Sequence, residues 1–250
     1  MAEVERILIT VRTYPNISGQ YVETVCTGGI TDSNEWRRLY PVPLRYLDTG
    51  QQYRTWDVIR VKVKPGTDGR KETRRPENQT IQVIEQIKTA DVKHQWVAPT
   101  ISESMHEFLE SERTLGPVAV SEVLDFIAEP VSVEWSEAEK QKIAQARLFD
   151  DTKPLEKIPF KFRLIWKDGA GVEHKSIFLS WEVCQTWRSW SRDHGESTIE
   201  RMREKWLNEV LTPDKQIAFF MGNLASRRHV FMVCGTYQPK LGVVQDESLF

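Results

Sequence analysis

The chain has 250 residues, a mass of 29.1 kDa and a formal net charge of −2. That is enough for one large domain or two small ones, with a core that needs no covalent staples. No run of 18 apolar residues predicts a membrane span, and the opening Met1-Ala2-Glu3-Val4-Glu5-Arg6 lacks the basic and apolar regions of a secretory signal. Cys26, Cys184 and Cys234 are odd in number and never in CxxC spacing, which argues against a disulfide framework or a cysteine zinc site. A reduced, cytoplasmic protein is expected.

Charge is distributed unevenly. Residues 1–100 are net +3, residues 101–151 net −8 and residues 152–250 net +3. Within the first stretch, residues 37–75 hold eleven basic and four acidic side chains, the strongest electrostatic feature of the chain.

Arg6 to Val11 is a β-branched apolar run and predicts a strand, ended by Tyr14-Pro15-Asn16. Tyr21 to Thr27 predicts a second strand, closed by Gly28-Gly29. Trp56 to Lys64 alternates, with Val61 and Val63 on one face and Arg60, Lys62 and Lys64 on the other, so a half-buried strand with a basic outer face is expected. Thr80 to Ile87 predicts a further strand beyond the loop Pro65-Gly66-Thr67-Asp68-Gly69.

The acidic middle reads as helical. Ser102 to Leu109 offers a capped helix with Met105, Phe108 and Leu109 at helical spacing. Ser121 is expected to open a second helix, with Val123, Leu124 and Ile127 inward and Pro130 as its stop. Ser136-Glu137-Ala138-Glu139 matches a capping box that starts a third, running to about Arg147. From Ile158 the pattern returns to β. Phe160 to Trp166 and Ser176 to Leu179 predict two strands, Ser180 caps a helix to about Trp190, and a longer helix spans Ser197 to Leu211. Two final strands, Gln216 to Met221 and His229 to Gly235, are separated by Gly222-Asn223.

The fold class expected is therefore α+β. Residues 1–100 form a β-rich module, a small curved sheet or partly open barrel with a basic face. Residues 101–151 form an acidic helical connector, and residues 152–250 a β-β-α-α-β-β unit.

Four constellations carry chemistry. Glu35 to Arg45 places Trp36, Arg37, Arg38, Tyr40 and Arg45 within eleven residues stiffened by Pro41 and Pro43. Arginine forks suit phosphate and aromatic rings stack on bases, although a proline-stiffened corner filling the core fits equally. Lys62 and Lys64, followed by Arg70, Lys71, Arg74 and Arg75, form a basic strand face beside a basic loop, as tracking a phosphate backbone requires. The bland alternative is a solvated edge that uses lysine against aggregation. Nine tryptophans are present; Trp181, Trp187, Trp190 and Trp206 lie on or beside two helices, where core packing is the expected role and stacking the alternative. Asp168, Glu173, His174 and Glu182 form a weak acid cluster of the kind a metal-dependent nuclease needs. No dinucleotide fingerprint, P-loop or histidine pair implies a cofactor or a metal.

Thr24 to Ile30 and Trp36 to Arg45 resemble an uncharacterised family of bacterial proteins marked by an RLYPVPFR-like stretch. That family's following motif falls here at Asp68-Gly69-Arg70-Lys71-Glu72-Thr73. Its C-terminal stretches fall at His174, Ser180-Trp181-Glu182, Trp187-Arg188 and Phe219-Phe220-Met221-Gly222-Asn223, with Ser180 in place of an aspartate. The resemblance implies a context of genome defence and mobile elements and no mechanism.

The function expected is a non-catalytic nucleic-acid-binding accessory protein, in the setting of prokaryotic antiviral defence that the resemblance implies. Its contacts would be Trp36, Arg37, Arg38, Tyr40, Arg45, Lys62, Lys64, Arg70, Lys71, Arg74 and Arg75. The alternatives are an adaptor that docks a basic protein partner through the acidic helices around Glu103–Glu112 and Glu122–Glu139, and a metal nuclease using Glu182 with Asp168 or Glu173.

Overall fold

The computed structural model describes residues 2–18, 22–147 and 155–244. Seven strands come first: β1 (Glu3–Arg12), β2 (Asn16–Ser18), β3 (Val22–Thr31), β4 (Trp36–Val42), β5 (Asp57–Pro65), β6 (Thr73–Pro76) and β7 (Gln82–Gln86). β1 pairs with both β3 and β5, β3 with β4, β4 with β6 in parallel and β6 with β5. The sheet thus closes into a five-strand barrel, with β2 and β7 as flanking additions. Alternation fills it: Ile7, Ile9, Val25, Leu39, Ile59, Val61 and Val63 point inward with Tyr53, while Arg60, Lys62 and Lys64 stand outside as their spacing predicts. Helix α1 (Ala90–Val97) covers the outer face of Leu8 and Val58 with Val92 and Trp96.

The second half adds α2 (Met105–Glu110), β8 (Leu115–Pro130), α3 (Glu137–Arg147), β9 (Phe160–Asp168), β10 (Glu173–Phe178), α4 (Trp181–His194), α5 (Thr198–Lys205), β11 (Ile217–Leu224), β12 (Arg227–Tyr237) and α6 (Leu241–Val244). Strands β8, β9, β10, β12 and β11 close a second barrel, with β10 and β12 parallel. The two barrels share one topology. In each, the first three strands form a meander, the third pairs in parallel with the fifth, and the fourth closes back onto the first. Helices α4 and α5 lie between the third and fourth strands of the second barrel and bury Val183, Met202 and Trp206 against its core. No helix among the described residues is long and apolar enough to cross a membrane.

The α+β class and the strands around residues 160–178 and 217–237 appear as expected, and Ser180 caps α4 by accepting from the Val183 amide at 3.1 Å. Ser136 and Glu139 form the reciprocal capping box at the start of α3. The acidic helical connector is corrected. Residues 115–130, expected to hold a helix from Ser121, are the sixteen-residue strand β8, which pairs with β9 and β11. Bulges at Val120/Glu122 and Val123/Asp125 break its two-residue alternation, so Val123, Leu124 and Ile127 fall at spacings that imitate a helix. The acidic residues Glu122 and Glu129 lie in this strand and pair with Lys167 and with Arg163 and Lys175, so of the second adaptor segment only Glu137 and Glu139 are helical, in α3. Helix α2 is capped by Ser104 rather than Ser102, and the helix expected to reach Leu211 turns π-helical from Trp206 to Val210.

Gly28-Gly29 and Gly222-Asn223 were expected to end strands and instead lie inside β3 and β11. The barrels stand back to back: Val11, Ile30 and Trp36 meet Leu115, Ala218, Phe220, Met232 and Cys234. A Cβ on Gly28 would lie 3.1 Å from Leu115, and one on Gly222 3.1 Å from Cys234 Sγ. Inside β3, a Cβ on Gly29 would fall 2.4 Å from the Leu8 carbonyl oxygen and 2.5 Å from Ile7. Gly29→Ala should therefore cost about 1–3 kcal/mol in urea unfolding. Gly50→Ala, which meets nothing within 4 Å, should change stability by less than about 0.5 kcal/mol. Equal effects would contradict the close approach.

Candidate nucleic-acid interface

The arginines of β4 and β6 alternate between two interiors. Arg37 and Arg74 face the mouth of the first barrel. Arg37 Nε donates to Glu5 Oε1 and its Nη2 to Glu35 Oε2, both at 2.7 Å, and Arg74 Nε lies 3.7 Å and 3.9 Å from Glu3 and Glu5. Arg38 points the other way, into the contact between barrels, and is 1% exposed. It donates to Thr114 Oγ1 at 3.0 Å and to the Thr114 carbonyl at 2.6 Å, while Glu72 accepts from the amide and hydroxyl of the same Thr114. Burial pulls the Arg38 guanidinium below its ordinary pKa.

Arg70 extends this junction. Its Nε donates to Asp68 Oδ2 at 2.9 Å, its amide to Asp68 Oδ1 at 3.0 Å and its Nη1 to the carbonyl and side-chain oxygens of Asn223. Asn223 Nδ2 in turn donates to the Arg228 carbonyl at 2.7 Å, and Arg228 Nη2 donates to the Asp68 carbonyl. The loop between β5 and β6 is thereby fastened to the β11–β12 hairpin. Both are the connection between the fourth and fifth strands of their barrel, so equivalent loops meet.

This geometry revises the expected contact set. Trp36 is 6% exposed and packs its ring 5.5 Å from Phe220. Arg37, Arg38 and Arg70 hold the protein's own groups, and Arg45 donates to Glu23 at 2.9 Å. Trp36, Arg37, Arg38, Arg45 and Arg70 are structural for that reason, and Arg74 is drawn to Glu3 and Glu5. Tyr40, Lys62, Lys64, Lys71 and Arg75 remain on the surface. Lys64 and Arg75 are cross-strand partners on the outer face of β5 and β6, and Arg60 continues the row beside Arg6 of β1. Lys64 reaches Glu77 at 3.0 Å and Lys71 reaches Glu112, whereas no carboxylate of the described residues stands within ion-pair distance of Arg60 or Lys62. From the acidic segment, Glu112 reaches this face at Lys71.

The exposed hairpin residues Arg227 and Arg228 join the same edge. They precede the strand expected from His229, since β12 begins at Arg227; the pair Arg227-Arg228 beside Ala225-Ser226 is the signal the sequence offers for them. A cavity of about 290 Å³ opens between the two loops, lined by Ser18, Tyr40, Thr67, Arg70, Arg75 and Ala225 among others.

The acid cluster has other uses. Asp168 Oδ1 accepts from the Val172 amide at 2.9 Å, and its Oδ2 accepts from the Met105 amide at 3.1 Å and lies 2.8 Å from His174 Nε2. Glu182 instead accepts from Thr55 across the barrel contact at 3.0 Å. The described residues contain no group of three or more His, Cys, Asp or Glu side chains placed to hold a metal ion, and the nuclease assignment loses its basis in Asp168's engaged oxygens. Trp206 packs in the core, while Trp190 lies under Lys205, 4.6 Å from its ring centre, and Trp181 under Arg12.

Residues 94–250 match the family described as domain of unknown function DUF8757. The chain belongs to that family. Residues 3–99 match a second domain of unknown function, DUF8758, so the two matches meet at the end of α1. No curated protein matches the chain.

Two outcomes check the junction. Arg38→Ala should lower stability by about 2–4 kcal/mol, because the Thr114 carbonyl and hydroxyl lose a buried donor, while Lys62→Ala leaves the urea midpoint unchanged. Burial pushes the Asp68 carboxyl up, but hydrogen bonds from Arg70 and Thr73 outweigh it and hold it below its ordinary value. A carboxyl so depressed stabilises the fold above its unfolded pKa and ceases to as pH falls through the folded one. Stability followed by circular dichroism should therefore fall as pH drops below about 4, with a shallower fall in Asp68→Asn. An identical acid limb in the variant would contradict the Asp68–Arg70 lock.

Proposed function

We propose that the protein binds nucleic acid through the outer face of its first barrel. The observation that carries this reading is the row of outward cations Arg60, Lys62, Lys64 and Arg75, continued by Lys71 and by Arg227 and Arg228 of the second barrel. Clustered cations with few acidic partners attract a phosphate backbone and release its counterions. The topology lends support by analogy. A closed five-strand barrel with parallel third and fifth strands resembles the oligonucleotide-binding barrel, whose fourth–fifth loop is one of its ligand-contacting elements. Here the outer face of the second and third strands of the first barrel, β3 and β4, is covered by the second barrel, which leaves the loops and the β5–β6 face for a ligand.

The chemistry proposed is binding without catalysis. The setting implied by the resemblance of Trp36 to Arg45 would make the protein an accessory of prokaryotic genome defence. An adaptor role through acidic helices has less support, because Glu122 and Glu129 are spent within the second barrel's sheet.

Fluorescence anisotropy with labelled single- and double-stranded DNA and RNA between 50 and 300 mM salt, roughly the range where counterion release dominates, tests this. Affinity should fall steeply with salt, and Lys62→Ala/Lys64→Ala should make the logarithmic slope shallower by about 1–2. Binding that ignores salt, or a slope untouched by the double variant, would overturn the assignment.

A further inference from the structure

We infer that the cavity between the two fourth–fifth loops takes one unstacked nucleotide, so that the preferred ligand is a single strand rather than a duplex. This inference rests on the nucleic-acid reading above and specifies its substrate.

Three observations converge on it. The first is size: about 290 Å³ lies at the lower limit of small-ligand sites, roughly 300–1,000 Å³, with space for one base and its sugar but not for a base pair. The second is the wall. Tyr40 is 44% exposed although its neighbours Leu39 and Val42 are fully buried, and an aromatic ring at the rim of the cavity offers a base a stacking surface. Exposed Thr67 adds a hydroxyl able to reach a base edge or a sugar, and Arg75 adds charge. Asp68 does not repel a phosphate here, because Arg70 and Thr73 hydrogen-bond its carboxylate.

The third is position. Arg75 is shared between the cavity and the cationic row, where it stands opposite Lys64. A strand whose phosphates follow Lys62, Lys64 and Arg75 therefore arrives at the cavity without leaving the protein surface, and Ala225 of the second barrel closes the far side. The bond between Arg228 and the Asp68 carbonyl, with that between Arg70 and Asn223, fixes one loop against the other. The cavity is thus lined by the first barrel and bordered by the second barrel's hairpin at Ala225.

The test uses the full-length chain and an oligonucleotide trimmed to the shortest length that keeps full affinity, so that it cannot change register. Anisotropy is measured for the intact strand, its duplex, and a series in which each position in turn is abasic. The inference predicts at least tenfold preference for the single strand. One abasic position should weaken binding about fivefold or more, and Tyr40→Ala should abolish that positional effect while Tyr40→Phe keeps it. Thermal unfolding of both variants checks that they remain folded. Salt-sensitive binding with equal affinity for strand and duplex, or with a flat abasic profile, overturns the cavity while leaving the cationic face standing. Absence of binding to every nucleic acid at low salt removes the underlying reading, and the inference with it.

Discussion

The buried guanidinium of Arg38 is the constraint on which the arrangement of this protein depends. It sits in a contact that is otherwise apolar, where an ion costs several kcal/mol to desolvate unless its hydrogen bonds are satisfied. Thr114, itself held by Glu72, satisfies them only if the start of β8 lies against the β5–β6 loop. Arg70 and Asn223 repeat the arrangement one step further out. Apolar area from Trp36, Ile30, Phe220 and Met232 supplies the attraction between barrels; these polar bonds select one orientation among many that would bury similar area. Through that choice they bring two equivalent loops together and set the cationic residues of both barrels along one edge.

The same constraint explains why so much positive charge does not reach solvent. Arg37, Arg38, Arg45, Arg70 and Arg74 belong to the stretch whose net charge dominates the sequence, yet each is turned toward a carboxylate or carbonyl supplied from elsewhere in the fold. Arginine suits such work because its fixed fork makes several hydrogen bonds at once. Lysine is the residue left outside on β5, where a strongly hydrated charge on a flexible stem both protects the strand from pairing with another sheet and remains available to phosphate.

Much of the fold was legible in the residue pattern, and the exceptions have physical causes. The alternation of β5 showed which side chains point outward, and the Ser136–Glu139 box located the start of α3. β8 was hidden because its two bulges shift the apolar residues into helix-like spacing. The glycines in β3 and β11 looked like strand ends, whereas their lack of a Cβ is what lets layers approach. For the candidate site, the β5 lysines were recoverable, since exposure follows from alternation, whereas Tyr40 stands exposed in a strand whose residues 36–39 are all buried. The burial of Arg38 was not recoverable, because its partner Thr114 lies 76 residues away. Charge counted along a sequence carries no information about such distant partners, so the strongest basic cluster overstated the free charge.

The central claim is that ligand contacts the first barrel's β5–β6 face and the loop edge it shares with the second barrel. Hydrogen–deuterium exchange of the full chain, with and without a saturating single-stranded oligonucleotide, tests it most directly. Slowed exchange is predicted in residues 60–76 and 224–229, with little change along β9 and β10. Protection confined to β9 and β10, or an exchange map unaltered by bound oligonucleotide at residues 60–76, would contradict the account.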